Sequence, residues 1–567
     1  MFPSQTSLIP ITVALAKFTA ANGFGGLYPY WYLGSTPVKY LTGPVVPGVL
    51  VGLHQLLPNF SLFDLSYFVI LTSYFISAIG WGILSGRLSG SRMVGWWVGG
   101  LTFILPWHWV AGLGLEEVSA VLASALTPWV LWVFARGPVS SFLPAFGEAR
   151  LRRPASARKT FVDVGIVKIV TVIKKKFLLR AVGNPSTAAT PCEITQQVSS
   201  YFSVWLPSLA FALLLLSNTT ASIPAIVGLL IISNFKLVSF SGEKQISNLK
   251  KAAIVIMLGW LLSLLWYGPN YWSTSFGAAS IGGKSAVSAF VNLINQTRGF
   301  VPVILALVLV VWGFRPKTLY DKFILAWLTI FGSLTLFRFL ADPDFWMDWT
   351  AWIGEVEVGL AMVMGRNFQF KIETSFRIAN FKLKITRLTI FYLLFAIYFL
   401  AGWMVAFQNR NFWLPRASIE NTVEYKIAKW LELGTGPVSR FPPAFGEARL
   451  RRPAIATRSV GAPTVFLSGT TAFWLNSLVD VRQVRGGRDE VSVNGDWRDA
   501  AWEIREGATG EGTERALRTL NISYVVVHTK DSGEFYHDFL YPQKFENISS
   551  LTKIYEKDGD VIYQVGD

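Results

Sequence analysis

The stretch FDLSYFVILTSYFISAIGWGILSGRLSGSR, residues 63–92, places this chain among membrane proteins. Residues 63–84 carry Asp64 as their one charged side chain. As a helix they are long enough to cross the roughly 30 Å hydrocarbon core of a bilayer. Arg87 and Arg92 follow directly. Because cytoplasmic loops carry the excess of Lys and Arg, this end of the segment is predicted to face the cytoplasm.

The same kind of apolar segment recurs along most of the chain. The predicted fold class is a polytopic α-helical membrane protein with about eleven spans. The stronger segments are 63–84, 92–112, 118–135, 200–216, 220–235, 251–268, 299–315, 322–340 and 386–407, and the weaker ones are 8–22 and 351–365.

Charge alternates between the loops that join these segments. Three loops are acidic, polar or aromatic, namely 113–117, 269–298 and 341–350. The opposite set is basic and includes Lys236, Lys244, Lys250, Lys251, Arg315, Lys317, Lys322, Arg366, Lys371, Arg377, Lys382, Lys384 and Arg387. The pattern predicts an integral protein of the cell membrane with a cytoplasmic N-terminus and an extracytoplasmic C-terminal region.

Composition agrees with a membrane protein. The 567 residues are 52% hydrophobic and only 15% charged, whereas soluble proteins carry about 25% charged residues. The net charge of +16 is concentrated in the basic loops and in one insertion, so we expect no nucleic-acid partner. The single cysteine, Cys192, excludes an intrachain disulfide.

The beginning of the chain is unusual for a membrane protein. Residues 1–16 contain no Lys or Arg, so they lack the basic region of a signal peptide. The weak segment 8–22 is also short for a complete span. We therefore expect the natural N-terminus to be missing or misassigned.

An internal repeat interrupts the chain twice. GPVSSFLPAFGEARLRRPASA at 137–157 and GPVSRFPPAFGEARLRRPAIA at 436–456 agree at 18 of 21 positions and lie 299 residues apart. Solenoid repeats recur many times at short periods. The topology also places the two copies on opposite sides of the membrane. We interpret both as products of an inserted mobile DNA element, with a basic membrane-surface segment as the alternative.

The insertions divide the chain into four predicted parts. We predict an N-terminal membrane part with a first outer loop at 23–62, a basic cytoplasmic insertion, a second membrane part, and an extracytoplasmic α/β domain interrupted at 436–458. The four parts span residues 1–136, 137–199, 200–408 and 409–567.

The α/β domain is predicted from periodicity and turn residues. The amphipathic pattern at 421–433 and two later stretches predict helices. Strands are predicted at 464–469 and 524–528, and the Asp558-Gly559 turn predicts a hairpin. The two later helices are expected at 499–505 and 514–520, and the hairpin strands at 553–556 and 561–565.

The first outer loop is rich in aromatic residues, glycine and proline. Trp31, Tyr32 and Tyr40 lie in GFGGLYPYWYLGSTPVKYLTGPVVP at 23–47, together with Lys39. One interpretation is an interfacial aromatic belt. The other is a substrate loop, in which the aromatic faces pack on sugar or isoprenoid and Lys39 faces a phosphate.

His108 lies near the outer end of the segment 92–112, and Glu116 and Glu117 follow in the next turn. Such groups at one membrane interface could serve as a general acid and base. The alternative is that they are solvated and that the glutamates stabilise the start of the segment 118–135.

A second acidic outer loop follows Arg338. Arg338 itself is a candidate for substrate binding. Asp342 and Asp344 could hold a hard divalent cation, Mg²⁺ or Mn²⁺, that bridges a phosphate, and Asp344 is also a catalytic candidate. Glu355 and Glu357 fall inside a weak apolar segment. Charges there usually face a cavity or a partner, so the acids together predict a cleft on the outer face.

The layout resembles the GT-C superfamily of polyprenyl-phosphate-sugar-dependent glycosyltransferases. The resemblance is greatest to YfhO-like proteins, some of which are described as 6-pyruvoyl-tetrahydropterin synthase-related membrane proteins. The resemblance rests on YPYWYLGSTPVKYLTGP at 28–44, on TPWVLWVF at 127–134, and on the stretches LNISYVVVH and KIYEKDGDVIYQV of the C-terminal region. GT-C enzymes usually carry a catalytic acid in the first outer loop, whereas this chain has no Asp or Glu before Asp64.

Two functions follow from the resemblance. The first is a membrane-embedded glycosyltransferase that moves a sugar from a polyprenyl-phosphate donor to a cell-envelope acceptor on the outer face. The second is a non-catalytic envelope protein that binds lipid-linked glycan or helps its export. Lipid-linked sugar and membrane lipid are the expected partners in both cases. A transferase needs an acidic residue near the aromatic loop, and a binding protein does not.

Overall fold

The computed structural model describes residues 1–115, 117–135, 191–235, 242–277, 287–288, 291, 295, 318–340, 349–375, 387–434, 463–488, 491–493 and 496–566. Both repeat copies, the segment 299–315, Glu116, and the acidic loop with Asp342 and Asp344 lie outside these residues. The predictions made for them therefore stay predictions.

The described membrane part is a bundle of helices. The first seven are α1 Ile9–Asn22, α2 Val38–Leu41, α3 Val45–Leu56, α4 Leu62–Ser89, α5 Arg92–Ile104, α6 Pro106–Gly114 and α7 Val118–Ala135. The next seven described helices are α8 Pro191–Ser217, α9 Ser222–Phe235, α10 Gly242–Tyr267, α11 Pro269–Gly277, α12 Leu319–Leu340, α13 Trp349–Ser375 and α14 Arg387–Gln408.

Within the described residues, four helices are long and apolar enough to cross a membrane. The four apolar spans lie in α4, α7, α10 and α12. Shorter apolar stretches occur in α3, α8, α9 and α14. The prediction of a polytopic helical membrane protein is confirmed, although the count of eleven spans is not established. The predicted segment 92–112 is two helices, because Pro106 holds Leu105 in an extended conformation and so ends α5.

Local sequence explains how the first long hairpin forms. Ser61 and Asp64 form a reciprocal capping box at the start of α4. Small residues then let α4 and α5 approach closely: a Cβ added to Gly82 would lie 2.8 Å from the carbonyl oxygen of Gly95. Such small-residue contacts are typical of helix pairs in membranes.

The N-terminal residues contradict part of the predicted topology. The Phe2 N–H donates to the Arg416 carbonyl at 2.9 Å, and the Gln5 side chain donates to the Gly533 carbonyl at 3.0 Å. These residues therefore contact the C-terminal domain directly, and α1, with 14 residues or about 21 Å, packs against the same domain. These contacts disagree with a cytoplasmic N-terminus combined with an extracytoplasmic C-terminal domain, and the orientation of the two termini stays a prediction.

The C-terminal region contains a three-layer α/β domain. Its elements are α15 Val423–Gly434, β3 Thr464–Phe466, α16 Thr471–Leu478, β4 Arg482–Gln483, α17 Asp496–Glu506, α18 Gly510–Thr519, β5 Tyr524–His528, β6 Leu551–Lys557 and β7 Asp560–Val565. A separate two-stranded sheet, β1 Leu27–Tyr28 with β2 Thr36–Pro37, lies in the first loop.

The five-stranded sheet is mixed. Its strand order is β4-β3-β5-β7-β6, with β4, β3 and β5 parallel and β5, β7 and β6 antiparallel. Helices α15 and α16 cover one face, and α17 and α18 cover the other. The hydrophobic core between the sheet and helices α17 and α18 continues into the first loop, where it includes Tyr28, Trp31 and Tyr32. The loop and the domain therefore share one hydrophobic core.

Candidate active site

The bundle holds a histidine and a carboxylate together at the start of α6. His108 Nδ1 lies 3.0 Å from Glu357 Oε2. The same carboxylate accepts the backbone N–H groups of Trp107 and His108, each at 3.2 Å, and the Tyr398 hydroxyl at 2.7 Å. Glu357 is completely buried. The positive end of the α6 dipole and these donors support its negative charge.

A cavity lies beside the imidazole ring. Its lining comes from α4, α6, α7 and α13 and includes Ser77, His108, Ser124, Gly354 and Glu355. A Cβ added to Gly354 would lie 3.8 Å from His108 Nε2, so this ring nitrogen faces the cavity side. An imidazole with Nδ1 held by a carboxylate and Nε2 facing a cavity has the arrangement of a general base.

The position of this pair relative to the end of α6 follows from the helix rise per residue. Thr6 Oγ1, on the side of the C-terminal domain, donates to the Gly114 carbonyl at 2.9 Å. His108 precedes Gly114 by six residues, so the two residues are about 9 Å apart along the helix axis. The site is thus within the bundle but close to the end that carries the α/β domain.

Glu117 forms a second polar centre where the bundle meets the α/β domain. Arg488 Nε donates to its Oε1 at 3.2 Å, and an Arg488 terminal nitrogen donates to its Oε2 at 2.8 Å. Ser119 donates to the same carboxylate at 2.7 Å, and the Arg488 backbone N–H donates to the Tyr32 hydroxyl at 2.7 Å. This bidentate pair joins α7, the first loop and the domain.

The aromatic residues of the first loop are mostly inside the protein. Trp31 and Tyr32 are completely buried, and Trp31 Nε1 donates to Asn476 Oδ1 at 2.8 Å. The Tyr40 ring packs 5.6 Å from that of Tyr271. No face of Trp31 or Tyr32 is open to a sugar in this structure. Both rings are core residues, so neither interpretation of the loop describes them.

The remaining predicted residues have different positions. Lys39 is exposed, with its Nζ 5.8 Å from the centre of the Tyr40 ring. Arg338 lies near the end of α12. Within the described residues no cluster of three or more His, Cys, Asp or Glu could hold a metal. The structure therefore gives His108 and Glu117 different partners.

Sequence reasoning missed two partners of the predicted residues. Tyr398 reads as one more aromatic residue in an apolar segment, and Arg488 as one of many charges in the tail. The position of Glu357 in a weak apolar segment predicts that its charge faces a cavity or a partner, and the structure shows that it has partners within the bundle.

Comparisons with known proteins give structural similarities alone. No protein-family model and no curated protein matches the chain. The chain is similar to the archaeal oligosaccharyltransferase AglB from Archaeoglobus fulgidus in complex with an inhibitory peptide and a dolichol-phosphate, at 12% identity over 100% of this chain and 71% of that chain, with a TM-score of 0.47.

Two further structures are similar to the chain. The Archaeoglobus fulgidus oligosaccharyltransferase in complex with Zn and sulfate is 12% identical over 100% of this chain and 70% of that chain, with a TM-score of 0.49. ArnT from Cupriavidus metallidurans bound to undecaprenyl phosphate is 10% identical over 99% of this chain and 94% of that chain, with a TM-score of 0.44.

Proposed function

We propose that this chain is a membrane-embedded glycosyltransferase that moves a sugar from a polyprenyl-phosphate donor to a hydroxyl of a cell-envelope acceptor. The observation that carries the proposal is the His108–Glu357 pair beside a cavity, near the end of the bundle that carries the α/β domain. A polyprenyl-phosphate sugar has its chain in lipid and its phosphate at the membrane surface. A base about 9 Å below the outer end of α6 suits such a donor.

The proposed reaction is a displacement at the anomeric carbon of the donor sugar. His108 Nε2 takes the proton of the acceptor hydroxyl while that oxygen bonds to the anomeric carbon. The bond from this carbon to the phosphate oxygen breaks, and polyprenyl phosphate leaves with the electron pair. Glu357 holds the ring through Nδ1 and balances the positive charge that the imidazole gains.

The donor phosphate needs a cationic partner on the outer face. Lys39 is exposed there, and we retain it, with Arg338, as the proposed phosphate-binding residue. A divalent cation at Asp342 and Asp344 stays part of the proposal as a further phosphate ligand. Glu117 is proposed as a positioning residue, because its carboxylate is engaged by Arg488.

The proposal is tested by measuring whether the lipid donor is converted to free polyprenyl phosphate. The full-length chain is reconstituted in vesicles with undecaprenyl-phosphate and dolichyl-phosphate hexoses and an extract of envelope glycan. Released polyprenyl phosphate is then quantified by mass spectrometry. Release that requires both protein and acceptor supports the transferase. Retention of a lipid-linked sugar by the protein without release contradicts it and supports the alternative of a glycan-binding envelope protein.

A further inference from the structure

Helix α14 has one face covered by large apolar side chains that no other part of the described chain buries. Leu393, Ile397, Leu400, Met404 and Phe407 recur at helical spacing and are 53–67% exposed. A stripe of this kind on a membrane helix faces lipid. It ends where the Arg410 guanidinium lies 5.0 Å from the centre of the Phe407 ring. A cation at this point is typical of the level of the lipid headgroups.

The apolar surface does not stop at the end of the helix. Phe412, Leu414, Phe535 and Tyr536, here called the aromatic patch, are 39–45% exposed. The rings of Phe412 and Phe535 are 5.4 Å apart, and those of Phe535 and Tyr536 are 4.8 Å apart. The patch therefore joins the end of the bundle to a loop of the α/β domain.

The exposed aromatic residues directly follow two residues of the loop that hydrogen bonds hold in place. Glu534 is buried and accepts hydrogen bonds from the backbone N–H groups and hydroxyls of Thr470 and Thr471 at 2.5–3.1 Å. The preceding Gly533 carbonyl accepts from Gln5 at 3.0 Å. A loop held in this way presents its two rings in a defined direction, and a defined exposed apolar surface marks a contact site.

We propose that the aromatic patch is a membrane-contact site, through which the α/β domain rests on phospholipid of the outer leaflet. The occupant follows from continuity, because the patch extends the lipid-facing stripe of α14 at headgroup level. Aromatic residues are enriched at this level, where the amphipathic Tyr ring suits the interface. The contact would fix the height of the domain above the bilayer, and it is independent of the proposed transferase activity.

The test uses the fact that Cys192 is the single cysteine. A nitroxide label is attached at Phe535→Cys in a Cys192→Ser background, and the full chain is reconstituted in phosphatidylcholine–phosphatidylglycerol vesicles. The matched control is Thr519→Cys, which is exposed at the opposite end of β5. Collisions with oxygen, which partitions into lipid, and with a water-soluble nickel chelate are measured by electron paramagnetic resonance.

The proposal expects a higher ratio of oxygen to nickel collisions at position 535 than at position 519. Equal ratios would place the patch in water and overturn the proposal. Protection of position 535 from both reagents would also overturn it, because that result indicates a protein partner. A mobile spectrum typical of an unfolded chain at position 535 identifies a misfolded sample, and Tyr536→Cys then replaces Phe535→Cys.

Discussion

The His108 ring and the Glu357 carboxylate are 249 residues apart in the chain and meet at 3.0 Å inside the bundle. Helices α6 and α13 bring them together, and α14 adds the Tyr398 hydroxyl to the same carboxylate. Glu357 is therefore fixed by groups from two other helices. Its removal should disturb the orientation of His108 more than the packing of the bundle.

Replacing Glu357 with Gln should lower kcat for sugar transfer on the order of 10²-fold, because the imidazole loses the partner that orients it. The KM for the lipid donor should change little, since Glu357 does not bind the donor in the proposed reaction. The control is Asp321→Asn, which alters a buried carboxylate paired with Arg366. A raised KM with unchanged kcat would contradict the positioning role.

The Glu117–Arg488 pair should be a strong link between the bundle and the α/β domain. The two side chains are only 13% and 8% exposed, and breaking a buried pair by removing one partner costs roughly 3–5 kcal/mol. Hydrogen exchange of the peptide around Arg488 should therefore accelerate in Glu117→Gln and in Arg488→Met. The double variant should lose less than the sum of the two changes.

A solvent-exposed ion pair serves as the control for this comparison of single and double variants. Glu511 and Arg515 on α18 are 86% and 76% exposed, and such pairs contribute about 0–1 kcal/mol. Arg515→Met should leave exchange almost unchanged. Additive effects of Glu117→Gln and Arg488→Met would show that the two residues do not act as a pair.

Glu424 should make the α/β domain less stable as the pH rises. Burial raises the pKa of this carboxyl to about 7, and the Glu534 carboxylate acts in the same direction. The two carboxyl groups share the Thr470 hydroxyl, whose Oγ1 lies 3.3 Å from Glu424 Oε1 and 2.6 Å from Glu534 Oε1. Because the folded state holds the proton more tightly than the unfolded state, stability falls between about pH 4.5 and pH 7.

The measurement is thermal unfolding of the full chain at pH 5 and pH 8. Glu424→Gln should reduce the loss of stability across this range, by on the order of 3 kcal/mol. Glu432→Gln, on the more exposed side of the same helix, should leave the loss as it is in the natural chain. The same pH dependence in Glu424→Gln would assign the effect to other groups.

The contact between the N-terminal residues and the α/β domain makes a prediction about topology. In a Cys192→Ser background, a membrane-impermeant maleimide should label Gln5→Cys and Thr519→Cys in intact cells, because both lie on the side of the α/β domain. Lys250→Cys, on a predicted cytoplasmic loop, should react only after the membrane is opened. Labelling at 519 with protection at 5 would restore the cytoplasmic N-terminus.

Local patterns predicted much of the fold. The segment 118–135 coincides with α7, and the strand 524–528 coincides with β5. Hydrophobic periodicity and turn residues determine such elements within one stretch of chain. The packing of α1 against the α/β domain could not be predicted in this way. Whether a short apolar helix crosses lipid or packs on protein depends on a partner hundreds of residues away, and no local pattern records that partner.

The site was predicted less completely for the same reason. His108 and Glu117 were recognised from residue type and membrane depth, but their partners Glu357 and Arg488 lie on distant elements. Trp31 and Tyr32 suggested a ligand surface because aromatic residues beside glycine and proline are typical of binding loops. Their burial results from the shared core with the α/β domain, which only the assembled structure reveals.

The most direct measurement of the central claim is the rate of sugar transfer by His108→Ala in reconstituted vesicles, read as polyprenyl phosphate released in the presence of acceptor. Loss of a general base should reduce this rate by about 10²–10⁴-fold. His537→Ala alters an exposed histidine of the α/β domain and should transfer at the natural rate. Transfer by His108→Ala at the rate of His537→Ala would contradict the claim that His108 is the base.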